Sequence, residues 1–412
     1  MNVADLRRVM ALMDSYREEM ISLQEGLTAR PAIAPESGGE GEVAKAGYLR
    51  GRLETWGLEV EEYRVPDAAA PCGYRPNLVA RLPGAGARSR VWILTHTDIV
   101  PPGERRLWRH DPFRLVVEEG RLFGRGTEDN QQSLVSSVFA LRALRDAGLS
   151  PARTPCLALV ADEETGSAKG LGYLLEHHRD LFQAEDLIIV PDFGSPDGSA
   201  IEVAEKSILW LKFTVLGRQC HASRPALGIN TLEASARLII ALTSLRDRFP
   251  ATDPLYDPAE STFTPTKKEA NVPNINTIPG EDVFYLDCRV LPEYPLTAVL
   301  EQIGRLVREV ETATGVRIKI EEAQRAEAPA PTAADSPVVH ALALALRELR
   351  GISARPIGVG GGTVAALFRR LGLSAAVWST CDEVAHQPDE YCLIDNMIAD
   401  AKVFAHVCLQ GG

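Results

Sequence analysis

The sequence predicts an α/β protein in which a discontinuous domain, with a central mixed sheet flanked by helices, is interrupted by a smaller inserted α+β domain. Three observations lead to this expectation. From about residue 40 to 205, helical patterns alternate with short Val/Ile/Leu-rich runs, the pattern of a sheet with helices packed on its faces. From 207 to 325 the pattern is strand, helix, strand, helix, strand, which fits a small ferredoxin-like unit. The chain of 412 residues is also longer than one ordinary hydrophobic core serves.

Along the chain, Met1 to Glu25 intersperses charges with Val3, Leu6, Met10, Met13 and Met20 at helical spacing. This reads as an amphipathic surface helix, without the uninterrupted apolar stretch of a signal peptide or membrane span, and implies a cytoplasmic protein. A helix follows at Val43 to Trp56, then surface loops at 65–76 and 84–88 rich in Gly, Pro and Ala, a strand at 91–95, a helix from Gln131 to Arg145, and strands at 156–161 and 187–191.

In the insert, strands are expected at Leu209 to Val215, Val283 to Val290 and Val316 to Glu321, with helices at Thr231 to Arg246 and Thr297 to Thr314. The Pro/Ala stretch Ala326 to Thr332 reads as the linker back. A helix at Val338 to Arg350 and strands at Arg355 to Val359 and Ala375 to Trp378 then rejoin the first domain. The division expected is thus 1–206 with 326–412 for the main domain and 207–325 for the insert.

The formal net charge of −12 and the lack of any Lys/Arg-rich stripe argue against nucleic acid or an anionic membrane as partner. Seven cysteines, odd in number and without a C-x-x-C pair, read as reduced structural thiols.

Five positions that could ligate metals stand near the ends of apolar runs or beside loops: His96, Asp129, Glu164, Asp192 and His386. In His96-Thr97-Asp98 the two functional side chains share one face of an extended backbone, so Asp98 can orient a metal-ligating imidazole; a plain hydrogen-bonded pair is the alternative. Asp129 lies behind Gly124-Arg125-Gly126 and ahead of a helix, either as an N-cap or as a carboxylate bridging two cations. Adjacent Glu163 and Glu164 repel unless a cation or proton separates them. One can bind metal while the other takes a proton from water, though a solvated acidic turn fits the same residues. Asp192 can equally be a turn residue and His386 a surface histidine. Two histidines with three carboxylates suit two borderline cations, zinc foremost, with cobalt or manganese tolerated.

Gly358 to Thr363 leads from a strand towards a helix and offers backbone N–H groups to an anion. As a dinucleotide fingerprint it is incomplete, because Thr363 takes the last glycine slot. In the insert, His221 lies in a Gly/Pro-flanked loop, Asn276 offers an amide, and Arg289 offers a fork for a carboxylate, or a salt bridge to Asp287 or Glu293.

With these motifs in order, from Thr95-His96-Thr97-Asp98 through Glu163-Glu164, Asn276-Thr277-Ile278-Pro279-Gly280 and Gly361-Gly362-Thr363 to His386, the chain resembles the co-catalytic zinc amidohydrolase family. That family includes acetylornithine deacetylase, succinyl-diaminopimelate desuccinylase, aminoacylase and related di- and tripeptidases, and the resemblance covers almost the whole length. It implies two Zn2+ per chain, with His96 and Asp192 on one, Glu164 and His386 on the other, and Asp129 bridging. Glu163 would be general base and then acid, and Asp98 would orient His96. The insert would act as a lid and dimerisation domain, with His221 reaching the partner's site as an oxyanion donor and Asn276, Arg289, Gly361, Gly362 and Thr363 holding substrate. The expected activity is hydrolysis of a small N-acyl amino acid with a free carboxylate. A di- or tripeptidase is the alternative, and a silent binding homologue is the reading from another class. Thr95, Asn130 and Val364 depart from the family pattern, and Asp192 resembles the peptidase branches, since deacylases more usually carry Glu there.

Overall fold

The computed structural model describes residues 2–82 and 89–411, so the loop expected at 84–88 lies outside the described residues. The chain divides into two compact units, Met1–Val203 with Thr332–Pro356 and Leu367–Gly412, and Ala204–Pro331 with Ile357–Ala366.

The first unit is built on an eight-stranded mixed sheet in the order Glu59–Pro66, Tyr74–Arg81, Thr154–Val160, Arg90–His96, Leu187–Gly194, Ala375–Ser379, Ala200–Glu205, Arg355–Val359. Its centre is parallel: Arg90–His96 runs alongside both Thr154–Val160 and Leu187–Gly194, and Ala375–Ser379 runs parallel to the latter. Parallel strands are covered on both faces, which explains their continuous apolar runs. Thr154–Val160 is buried at every position. Helix Ser133–Asp146 packs on Arg90–His96 and Thr154–Val160, and helix Pro337–Arg350 packs on Leu187–Gly194 and Ala375–Ser379. Because the four strands point the same way, the residues following their carboxyl ends gather at one edge, where α/β sheets bind ligands.

Two features of this unit differ from the sequence reading. Glu59–Pro66 and Tyr74–Arg81 form an antiparallel hairpin reaching into the expected 65–76 loop. The amino-terminal segment is two helices, Val3–Ser15 and Arg17–Thr28, broken at Tyr16. It is more than a surface helix, because Val9, Met13, Met20, Leu23 and Leu27 are buried and the Tyr16 ring packs on Phe139 at 5.4 Å.

The second unit follows strand–helix–strand–strand–helix–strand, with an antiparallel sheet ordered Thr262–Lys268, Glu281–Val290, Ser207–Leu216, Arg317–Ala326. Alternate residues Leu209, Leu211, Phe213 and Val215 point into a core shared with helices Thr231–Leu242 and Leu296–Thr314. Phe213 and Phe284 stack at 4.8 Å within it. The strand missing from the sequence reading, Thr262–Lys268, is an edge strand carrying Pro265, which breaks the usual strand signature. The second unit also takes in residues 357–366, which the sequence division gave to the first. Hydrogen bonds account for this: Lys206 N donates to Val359 O at 2.9 Å, Gly358 N to Leu255 O at 2.6 Å, and Thr363 N to Glu205 Oε1 at 3.2 Å.

Candidate metal centre

His96 ends its strand and is buried. Its Nδ1 lies 3.1 Å from the Asp98 carbonyl oxygen, which can only accept, so Nδ1 carries the proton and the Nε2 lone pair faces outward. That Nε2 lies 2.9 Å from Asp129 Oδ1 and 3.3 Å from Asp192 Oδ1. The other oxygen of Asp129, Oδ2, lies 3.1 Å from His386 Nε2, which is itself 3.2 Å from Glu164 Oε2. Asp129 therefore presents one oxygen to each of two imidazoles.

Imidazole and carboxylate lone pairs face one another stably only with a proton or a cation between them. Among the described residues, two overlapping groups could hold a metal ion: His96 with Glu163 and Asp192, and His96 with Asp129 and Glu164, each with ligand atoms within 4.8 Å. The same crowding drives protonation when no cation is present. Burial alone would lower the His96 pKa, but the carboxylates of Asp129, Asp192 and Asp98 outweigh it and hold it well above the usual value. Hydrogen bonds to Asp129 and Glu164 push His386 up to about 10. Burial and the nearby Asp192 charge hold Glu163 well above the carboxylate range. A bound cation replaces these protons and inverts the shifts. The donor set, imidazole nitrogens and carboxylate oxygens, fits zinc-like ions.

The groups behind these side chains come from distant parts of the chain. Asp98 accepts the backbone N–H of Glu163 at 3.2 Å on Oδ1 and that of Glu164 at 3.0 Å on Oδ2, so it fixes the acidic doublet as well as facing His96. Asn130 Nδ2 donates to Pro191 O and to Asp192 Oδ1, both at 2.8 Å. Fully buried Glu390 gathers the Arg125–Asp129 segment, accepting from Arg125 Nη1 at 2.5 Å, Gly126 N at 3.0 Å, Glu128 N at 3.0 Å and Asp129 N at 3.1 Å. Burial lifts its pKa to about 7 against those donors. Gly126 has φ +87° and a Cβ there would meet Ile99 Cγ2 at 2.6 Å, so the segment passes this point only as glycine. Glu128 in turn accepts from Asp382 N and Val384 N, both at 2.6 Å, and so holds the loop that carries His386. None of Asn130, Glu128 and Glu390 was legible as a site residue, because each works through partners more than sixty residues away.

The remaining expected residues lie in the second unit. The strand pair Cys220–His221 and Thr277–Ile278 sets His221 opposite Thr277, and Ala222 N donates to Asn276 O at 2.8 Å. His221 Nδ1 accepts from Ser223 N at 3.1 Å, which places its proton on the exposed Nε2 as a donor. Asn276 Oδ1 accepts from Asn274 Nδ2. Arg289 closes its fork on Asp287 at 2.8 and 3.0 Å, the salt bridge that was the other expectation for it, and donates to Gly360 O at 2.8 Å. The expected anion cradle needs correction. Thr363 gives its N–H and its hydroxyl to Glu205 Oε1, at 3.2 and 2.9 Å, and the helix that follows, Ala365–Arg370, is short. Gly361 and Gly362 remain exposed beside it.

Imidazoles and carboxylates gathered near the carboxyl ends of the parallel strands make a metal-dependent site, and the family match makes the chain a metal-dependent hydrolase of amide or peptide bonds. The chain belongs to the peptidase family M20/M25/M40, whose model matches residues 92–410. It is 37% identical to an uncharacterised metallohydrolase of Methanococcus maripaludis, over 96% of this chain and 100% of that protein. It is 30% identical to the succinyl-diaminopimelate desuccinylase of a Methylobacterium species, over 94% of each. The fold matches the dipeptidase Dug1p of Saccharomyces cerevisiae with a TM-score of 0.75 at 16% identity, over 98% of each chain. Among the described residues, no helix is long and apolar enough to cross a membrane.

Proposed function

We propose that this metallohydrolase is a dinuclear zinc enzyme that cleaves the amide bond of a small N-acyl amino acid bearing a free carboxylate. The observation behind the two-metal reading is the Asp129 carboxylate, split between His96 Nε2 and His386 Nε2 at 2.9 and 3.1 Å. On this reading His96 and Asp192 hold one cation, Glu164 and His386 the other, and Asp129 both. Bound there, two cations would supply polarisation of the scissile carbonyl and a water with a pKa lowered towards roughly 7.

The chain's own residues supply the rest. Asp98 fixes the His96 tautomer and, through two backbone N–H groups, the direction of Glu163. Glu163, its backbone N–H held by Asp98, takes the proton of the attacking water and returns it to the leaving amine. His221, with its proton on Nε2, is the donor for the developing oxyanion. Asn276 and the exposed Gly361-Gly362 backbone bind the substrate's polar groups. Arg289 and Thr363 shape that site through Asp287, Gly360 and Glu205.

We further propose that the second unit serves as a lid and pairs two chains, with a cytoplasmic homodimer as the working form. Leu232 and Ile240 project at 44% and 71% exposure from helix Thr231–Leu242, eight residues apart and so on one face. A di- or tripeptidase is the second reading, favoured by Asp192 where deacylases more usually carry Glu. Metal analysis together with a panel of N-succinyl, N-acetyl and N-formyl amino acids beside dipeptides tests the proposal. About two zinc per chain and turnover of an N-acyl amino acid support it, turnover of dipeptides alone selects the second reading, and a metal-free protein inert to the whole panel refutes both.

A further inference from the structure

Beside Asp129 and Asp192, within the first unit, lies a cavity of about 280 Å³ whose wall includes Pro191, Phe193, Ser379, Cys381 and Ala385, at the small end for a ligand pocket. Four acidic side chains line it: Glu128, Asp129, Asp192 and Glu383. Three are committed. Glu128 holds two loop amides, Asp129 faces the two imidazoles, and Asp192 accepts from Asn130. The exposed Glu383 carboxylate has no hydrogen-bond or ion-pair partner among the described residues.

The Glu383 backbone, in contrast, is firmly held. The residues on either side, Asp382 and Val384, both donate their N–H to Glu128 at 2.6 Å, and Glu383 between them has φ +60°. A left-handed conformation is unfavourable for a non-glycine residue, and such outliers persist where their surroundings enforce them, often at binding sites. A fixed backbone carrying an uncommitted carboxylate at the rim of a largely apolar cavity is suited to recognising a cation on a ligand.

We propose that Glu383 is a specificity-determining residue that selects substrates carrying an ammonium group, with the adjacent apolar wall taking the aliphatic part. This rests on the hydrolase reading above and narrows its substrate class. The ammonium has two chemical sources, the free amino terminus of a short peptide or the side-chain amine of an N-acyl diamino acid. Cavity lining supplies no cationic side chain, so a second carboxylate on the substrate is disfavoured at this position.

The test compares matched pairs on the metal-loaded full chain: Nα-acetyl-lysine against Nα-acetyl-norleucine, and alanyl-alanine against N-acetyl-alanyl-alanine. The wild type is expected to prefer the cationic member of at least one pair about tenfold in kcat/KM, equivalent to ~1.4 kcal/mol, and the pair that shows the preference identifies the source. Glu383→Gln should reduce the preference to within about threefold while leaving the neutral member unchanged, and Glu383→Lys should reverse it. Raised salt should weaken it, as expected at an exposed carboxylate. A preference that survives Glu383→Gln, or an equal loss for both members, overturns the proposal. Calorimetric binding of lysine against norleucine, to wild type and Glu383→Gln, reads the same selectivity without turnover. If no pair is hydrolysed but lysine binding depends on Glu383, the hydrolase reading fails and the recognition stands. If lysine and norleucine bind alike, the recognition fails.

Discussion

Asp98 Oδ2 accepts the backbone N–H of Glu164 at 3.0 Å, so one carboxylate from the first motif sets the position of the acidic doublet that begins 65 residues later. The companion oxygen takes the Glu163 N–H and faces His96 Nδ1 at 3.4 Å. Replacing Asp98 with Ala is expected to weaken metal binding about 10- to 100-fold, the usual cost of losing a carboxylate behind a ligating histidine. It should also lower kcat with metal saturating, because the Glu163 backbone loses its anchor. Zinc titration and saturating-metal kinetics read the two effects separately, and a loss confined to metal affinity would show that Asp98 acts on His96 alone.

Asn130 anchors Asp192 in a similar way, through a 2.8 Å amide hydrogen bond. Asn130→Ala removes that donor and the one to Pro191 O, at a cost of about 1–3 kcal/mol. On the proposed ligand assignment the site holding His96 and Asp192 weakens by at least about tenfold while the other retains its affinity. Competitive chelator titration should therefore change from one apparent transition to two.

Glu128 connects the Asp129 segment to the His386 loop, since its backbone is held by Glu390 and its carboxylate holds Asp382 N and Val384 N. Glu128→Ala should free the His386 loop and reduce bound metal towards one per chain, with the fold retained by circular dichroism. Full metal occupancy in this variant would show that His386 is positioned by other contacts.

Lys45 is fully buried, with Nζ lacking a hydrogen-bond partner among the described residues, and burial lowers its pKa from 10.5 to about 8. Below pH 8 the ammonium is charged in both folded and unfolded chains, and the native state bears the desolvation penalty. Between about pH 8 and 10.5 the unfolded chain binds more protons, so the penalty is relieved and stability rises with pH. Relative to Lys45→Met, the wild type should gain up to roughly 3 kcal/mol across that window, at 1.36 kcal/mol per pKa unit. Denaturant unfolding of both proteins from pH 7 to 10.5 measures the difference, and parallel profiles would contradict it.

Much of this architecture was legible because its signals are local. His96 ends one buried apolar strand and Asp192 follows the apolar run of another, and Glu163-Glu164 is conspicuous as adjacent like charges in a chain that must fold around them. Helix Leu296–Thr314 carries its own periodicity and was placed to within a residue. What the sequence hid depends on distant pairing. Glu390 serves a segment more than 260 residues before it, buried Arg75 forks onto Glu42, and residues 357–366 leave their sequence neighbours for the second unit through bonds to Glu205, Lys206 and Leu255. Strand Thr262–Lys268 was missed for a local reason: Pro265 and the Lys267-Lys268 pair suit an edge strand and lack the apolar alternation of an interior one.

In the proposed mechanism Asp129 unites two metal positions while Glu163, beside Glu164, handles the proton. The most direct measurement is bound metal and turnover on Glu163→Gln alongside wild type. Both proteins are expected to hold about two divalent cations per chain, with kcat in the variant lower by about 10²–10⁴-fold. Turnover near the wild-type rate would contradict the proton-transfer role, and loss of a cation with the substitution would make Glu163 a ligand grouped with His96 and Asp192.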